Sequence, residues 1–341
     1  MFGLDNRTLL SKDIIEILDQ VDYGLSVEDI QNKLGYSNPV TILSVCKEIT
    51  AVIKKNYIHN HYQLEIDNSK RGLFELKRYS TNLQSLYKEI FSKDIAYDIL
   101  MVLIQKRSIS SEKICQTYNI SRSTLQRKIK AINKEIADFQ VYITCSERIQ
   151  FKSDELLIRS FSYFFFWSMH RELDNTFWFP EGEQHLFNAK RILDYLGCAF
   201  DPIKSRSLAL WIQFFSIGIA KKKTLNFSAE KLQFLESCQI PECPDFLTAW
   251  SNLEWRTLVG VIYVSNVYEY ELVFQIEAVE PFLSAGDLCY EDFERAAEKQ
   301  FSSISSYEKT KIQREIARYQ LLNLFINPQA KKVYVRLQIM Y

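Results

Sequence analysis

One pattern constrains this chain more than any other. A helix start, a stop that tolerates left-handed backbone and a second helix start follow one another closely, and the arrangement occurs twice, about 85 residues apart. In the later copy, Ser110 or Ser111 opens a short helix containing Ile114, Cys115 and Tyr118. Asn119 suits a left-handed turn, and Ser121 caps a further helix. Leu125, Ile129, Ile132 and Ile136 recur at helical spacing and predict its inner face. In the earlier copy, Ser26 and Asp29 form a weak capping box, Ile30 and Leu34 face inward, and Gly35 ends the helix. Ser37 then caps a helix with Pro39 in its first turn and Ile42, Cys46, Ile49 and Ile53 on its inner side.

Each copy has a preceding helix and a following hairpin. The preceding helices are predicted over 7–22, with Leu10, Ile14, Ile17, Leu18 and Val21 inward, and over 95–105, with Ile95, Ile99, Val102 and Leu103 inward. The hairpins are predicted from strands near 57–66 and 73–78 around the turn at 68–72, and from 141–144 with 149–151. The spacing of the inner residues matches between copies if the first holds one extra residue. The expected fold class is mainly α: two winged helix-turn-helix domains, at 1–80 and 90–153, followed by a helical region. Helices are predicted near 154–172, 183–196, 204–222, 228–237, 244–265 and 291–325, and 331–341 alternates like a strand. Low glycine (9) and proline (7) in 341 residues agree with a helical chain.

Two helices packed over a tight turn present the start of the second to a DNA major groove. The helix 121–133 has an outer side suited to such a contact, made of Ser121, Arg122, Ser123, Thr124, Gln126, Arg127 and Lys130. Arginine pairs with guanine, glutamine with adenine, and hydroxyls with either. Arg148, near the hairpin tip, adds a backbone contact. Overall charge is zero, but between 105 and 135 Lys106, Arg107, Lys113, Arg122, Arg127, Lys128, Lys130 and Lys134 face only Glu112 and Glu135. That local excess predicts a basic surface. The corresponding outward residues of the first copy, Asn38, Thr41, Ser44 and Lys47, make a secondary DNA contact or a packing surface. Residues 1–50 hold 4 basic and 8 acidic residues.

The run from Ile109 to Ile136 resembles the second helix-turn-helix of Mga/AtxA-type regulators. The stretch Ile149–Arg159, with its aromatic continuation, resembles that family's entry into its regulatory region. The resemblance implies a transcription regulator, often an activator, of carbohydrate-status- or virulence-linked genes. It also implies helical domains like those regulated by the phosphotransferase system, at 154–270 and in part at 271–330, with 331–341 opening a C-terminal domain. Double-stranded DNA, a homo-oligomeric partner copy and phosphotransferase-system proteins are the implied partners. Regulatory domains of that kind are phosphorylated on histidine, and His170 and His185 are the candidates here; imidazole accepts phosphoryl groups near neutral pH. Arg171 neighbours His170 and could hold a phosphate, while His59 and His61 in the first hairpin read as surface residues.

No glycine-rich phosphate loop, nucleophile elbow or metal-ligand cluster occurs, so neither enzyme activity, nor a cofactor, nor a metal site is expected. A ligase with a DNA-binding head would need a glycine-rich nucleotide sheet. A replication initiator built on tandem winged helices, or a protein-interaction module, would share this organisation. Seven irregularly spaced cysteines, no leader pattern at the start and apolar runs too short to span a bilayer predict a cytoplasmic protein without a membrane partner.

Overall fold

Helical spacing of apolar residues builds α1 (Asn6–Asp19), which buries Leu10, Ile14, Ile15 and Leu18. The expected extension to 22 does not occur: the helix ends at Asp19, and Ile17 is only half-buried. A two-residue strand β1 (Leu25–Ser26) leads directly into α2 (Val27–Leu34). Ser26 and Asp29 form a complete capping box, and Gly35 takes the left-handed conformation at φ 63°. α3 (Pro39–Tyr57) follows, then β2 (Leu64–Asp67) and β3 (Leu73–Arg78). The computed structural model describes residues 1–35, 38–57, 64–67, 72–78, 83–170, 179–265, 268, 270–274 and 305–326. Ser37, His59, His61, Asn68–Arg71, Arg171 and the expected strand at 331–341 lie outside them. Asn38 caps α3, its Oδ1 accepting from the N–H groups of Val40 (3.1 Å) and Thr41 (3.3 Å).

α4 (Gln84–Phe91) buries Leu86, Tyr87, Ile90 and Phe91 and packs on α1 and α3. No pattern in the sequence pointed to it. Asp94 caps α5 (Ile95–Lys106), accepting from Ala96 and Tyr97. The four inward residues expected there are half right. Ile99 and Leu103 are buried, Ile95 and Val102 are intermediate, and Ala96, Tyr97, Leu100, Met101 and Ile104 are also buried. A helix covered on most sides has no single apolar stripe to read.

β4 (Ser108–Ser110), α6 (Ser111–Tyr118), α7 (Arg122–Ile136), β5 (Ile143–Cys145) and β6 (Arg148–Phe151) complete the second run. Ser110, not Ser111, is the cap of α6, and Asn119 ends it in the left-handed region at φ 48°, ψ 48°. Each run carries a three-stranded antiparallel sheet with its last strand in the middle: β1-β3-β2 and β4-β6-β5. Both runs fall within one compact unit, comprising 1–136, 143–151 and 169–172.

The other unit comprises 137–142, 152–168 and 173–341. It contains α8 (Glu155–Met169), α9 (Gly182–Tyr195), α10 (Pro202–Ala220), α11 (Ala229–Ser237), α12 (Asn252–Ser265) and α13 (Ser306–Phe325). Residues 244–251, expected to be helical, form turns instead: Leu247 N–H donates to Pro244 and Trp250 N–H to Leu247. The aromatic run of α8 is core. Phe161, Phe164, Phe165 and Phe166 are fully buried, and Tyr163 stacks on Trp211 at 4.3 Å.

At the centre of this unit, Arg159 is wholly buried. Its Nε donates to Glu155 (3.0 Å), its Nη atoms donate to Glu254, and the guanidinium lies over the Phe215 ring. Burial pushes the Glu254 carboxyl up, against the opposing pull of Arg159. Among the described residues, no helix is long and apolar enough to cross a membrane. The described cysteines are free thiols; Cys46, Cys198 and Cys238 are buried, and burial pushes Cys46 up to about 12.

Candidate nucleic-acid interface

α7 is built to show one face. Leu125, Ile129, Ile132 and Ile136 are buried as the spacing predicts, which turns Arg122, Ser123, Gln126, Arg127 and Lys130 outward. The start of the helix is set by Ser121. Its Oγ accepts from the Thr124 N–H (3.2 Å) and lies 2.8 Å from Ser123 Oγ and 3.0 Å from Thr124 Oγ1. Arg127 Nη2 donates to Thr124 Oγ1 (3.3 Å). Thr124, expected on the outer face, is therefore half-buried, with its hydroxyl shared between neighbours. Arg122, Gln126 and Lys130 are exposed and take no hydrogen bond or ion pair among the described residues. Spaced four apart, they form one row along the helix.

Asn133, which the sequence did not single out, holds the wing. Its Nδ2 donates to the Ile143 carbonyl and its Oδ1 accepts from the Ile143 N–H, both at 2.8 Å. Ser111 fixes the other end: its N–H donates to Glu147 (2.9 Å) and its Oγ to the Ser146 carbonyl (2.7 Å). Arg148 stands beside that tip, as expected, and donates to Ser108 Oγ (3.2 and 2.5 Å). The wing is thus pinned to α6 and α7.

The expected basic surface loses two members. Arg107, at φ 64° after α5, is 6% exposed and belongs to the interior. Lys128 donates to Asp5 Oδ1 at 2.5 Å. Asp5 belongs to an N-terminal segment docked on α7. Phe2 and Leu4 are buried, the Asp5 N–H donates to Asp94 (2.7 Å), and the Met1 amino group lies 3.2 Å from Glu135. Gly3 has φ +74°, and a Cβ there would meet the Ile132 Cα at 2.7 Å. These contacts span 89 residues or more, so no local pattern announces them.

In the first run Asn38 is spent on the cap, and Thr41 and Ser44 are half-buried. Lys47 is exposed. Arg7 on α1, which nothing in the sequence marked, donates from Nη2 to Ser44 Oγ (2.8 Å) and from Nε to Glu48 (2.8 Å). The Glu48 carboxylate holds the Arg7 guanidinium above its ordinary value.

The two candidate histidines lie elsewhere. His170 is fully buried, with Nε2 2.8 Å from the Tyr97 hydroxyl and its ring edge-on to Phe91. Phosphoryl transfer to it requires the ring to leave this site first. His185 on α9 is 8% exposed, and its Nδ1 has no hydrogen-bond partner among the described residues. Burial pushes its pKa down, partly offset by Glu181. Among the described residues no group of His, Cys, Asp and Glu is arranged to hold a metal ion.

The short helix, left-handed turn, capped second helix and pinned wing of the second run make it a helix-turn-helix domain. The Mga helix-turn-helix domain is the family whose pattern matches here, over residues 79–166, from just before α4 into α8. No curated protein matches the chain.

Proposed function

We propose that the protein is a transcription regulator, not an enzyme, that binds double-stranded DNA mainly through α7. The observation that carries this reading is the exposed row Arg122, Gln126 and Lys130, with Arg127 beside it, on the helix that follows the left-handed Asn119. In this reading both runs are winged helix-turn-helix units. Arg and Gln on the first turns reach base edges, Lys130 reaches phosphate, and Arg148 at the wing tip contacts the backbone. The resemblance drawn from the sequence supports giving the helical unit a regulatory role, with homo-oligomerisation and phosphotransferase-system proteins as its inputs. It likewise supports activation of carbohydrate-status- or virulence-linked genes and a cytoplasmic setting.

The test is a duplex titration at about 50 and about 200 mM salt, wild type beside Arg122→Ala/Arg127→Ala. Each phosphate contact contributes about 0.9 to the slope of log affinity against log salt. If both arginines hold phosphates, the double variant is flatter by about 1.8, so the wild type loses about 12-fold more affinity over that salt range. If either reads a base, about 1–3 kcal/mol of discrimination goes at that position instead. Unaltered affinity, slope and sequence preference in the double variant would remove α7 from the interface.

A further inference from the structure

The two runs can be compared residue by residue. Their caps, Asn38 and Ser121, and their buried positions, Ile42 with Leu125 and Cys46 with Ile129, stand at one constant offset. At that offset Ser44 corresponds to Arg127, and Glu48 corresponds to Ala131. α3 therefore lacks the arginine that α7 carries at this place. Arg7 supplies one from another helix, its Nη2 resting on Ser44 Oγ at 2.8 Å. The same arginine is held by Glu48, a carboxylate with no counterpart on α7.

We infer that Arg7 is the DNA-contacting cation of the first unit and that Glu48 restrains it in the free protein. This rests on the DNA-binding reading above. Both side chains are about half exposed, at 47% and 55%. An exposed pair of this kind contributes little to stability, so holding the fold together does not explain it. The placement does matter for binding, because the first fifty residues hold twice as many acidic as basic residues. A duplex approaching α3 meets Asn38, Thr41 and Lys47 from the helix itself, and a guanidinium that must be taken from a carboxylate. A phosphate offers that guanidinium the same paired geometry as the carboxylate does. Exchange of one for the other breaks the Arg7–Glu48 pair, so the first unit engages at a cost that the second unit does not carry.

The test uses the full chain and a labelled mixed-sequence duplex long enough for both units, titrated at about 50 and about 200 mM salt. Arg7→Gln is expected to weaken binding at low salt and to flatten the salt slope by about 0.9, a difference of about 3.5-fold over this range. Glu48→Gln is expected to tighten binding. Arg7→Gln/Glu48→Gln is expected to match Arg7→Gln alone, because the restraint acts only through Arg7. An Arg7→Gln titration that overlays the wild type overturns the contact. A gain from Glu48→Gln that persists without Arg7 overturns the restraint and leaves plain charge removal. Wild-type protein that binds no duplex at either salt overturns the DNA reading itself, which separates that failure from the other two. Thermal melts of each variant within a degree or two of wild type are expected, and a large drop assigns the pair to the fold instead.

Discussion

Replacing Gly3 by alanine tests whether the docked N-terminal segment supports α7. Two costs act at this position. The φ of +74° is strained for an L-residue by about 1–2 kcal/mol. The new Cβ would also meet Ile132 Cα at 2.7 Å, Cγ1 at 2.8 Å and N at 2.9 Å, and two of those atoms are helix backbone that cannot swing away. The total is capped by the free energy of undocking. Exposing Phe2 and Leu4 forfeits about 1.5–3 kcal/mol each. Backbone entropy recovered by the released residues offsets most of this, so the net loss is expected to be on the order of 1 kcal/mol. Gly72→Ala is the matched control: its φ is +79°, and a Cβ there meets nothing within 4 Å. All five tryptophans lie at or beyond position 167, outside this unit, so their fluorescence does not report it. Hydrogen exchange does, read on peptides covering 1–5 and 125–136. Gly3→Ala should lose protection in both, while Gly72→Ala loses it in neither. Equal behaviour of the two variants would refute the idea that the segment braces the helix.

Two further predictions concern the helical unit, where the tryptophans are useful. Arg159→Met leaves the Glu155 and Glu254 carboxylates buried without their cation, and should cost about 3–5 kcal/mol in urea unfolding; a loss below about 1 kcal/mol would show the triad relaxes into water. Because burial lowers the folded pKa of His185 below its usual value of about 6.5, the unfolded chain binds the extra proton between those two values. Stability at this site is therefore complete above about pH 6.5 and is lost as pH falls toward the folded value. His185→Leu should flatten that dependence, and an unchanged difference between unfolding midpoints at about pH 7.5 and about pH 5.5 would count against it.

Much of the helix-turn-helix geometry was legible because it is local. The caps Ser26 and Ser121, the left-handed Gly35 and Asn119, and the 4,3 spacing of Leu125, Ile129 and Ile132 all act within a few residues of themselves. The extra residue inferred in the first turn is real, but Asn38 takes the cap that Ser37 was expected to form. What escaped is tertiary. β1 and β4 are two and three residues long, too short for alternation to appear, yet each adds the third strand to its sheet. Arg107 reads as a surface cation from its type and is buried by its fold. The outer face of α7 could be named from sequence, whereas its supports could not. Asn133 gains its role from where the wing lands, Lys128 loses its freedom to a residue 123 positions away, and Arg7 reaches α3 from α1.

The docked N-terminal segment also orders events during synthesis. Gly3 and Asp5 are made before the helix on which they dock, which follows more than a hundred residues later. At about 5–20 residues per second, the 123 positions separating Asp5 from Lys128 correspond to a wait on the order of 6–25 s. Through that interval Asp5 lacks its Lys128 partner and Gly3 lacks the Ile132 backbone against which it sits. The first run therefore completes its contacts with α7 only once that helix has emerged.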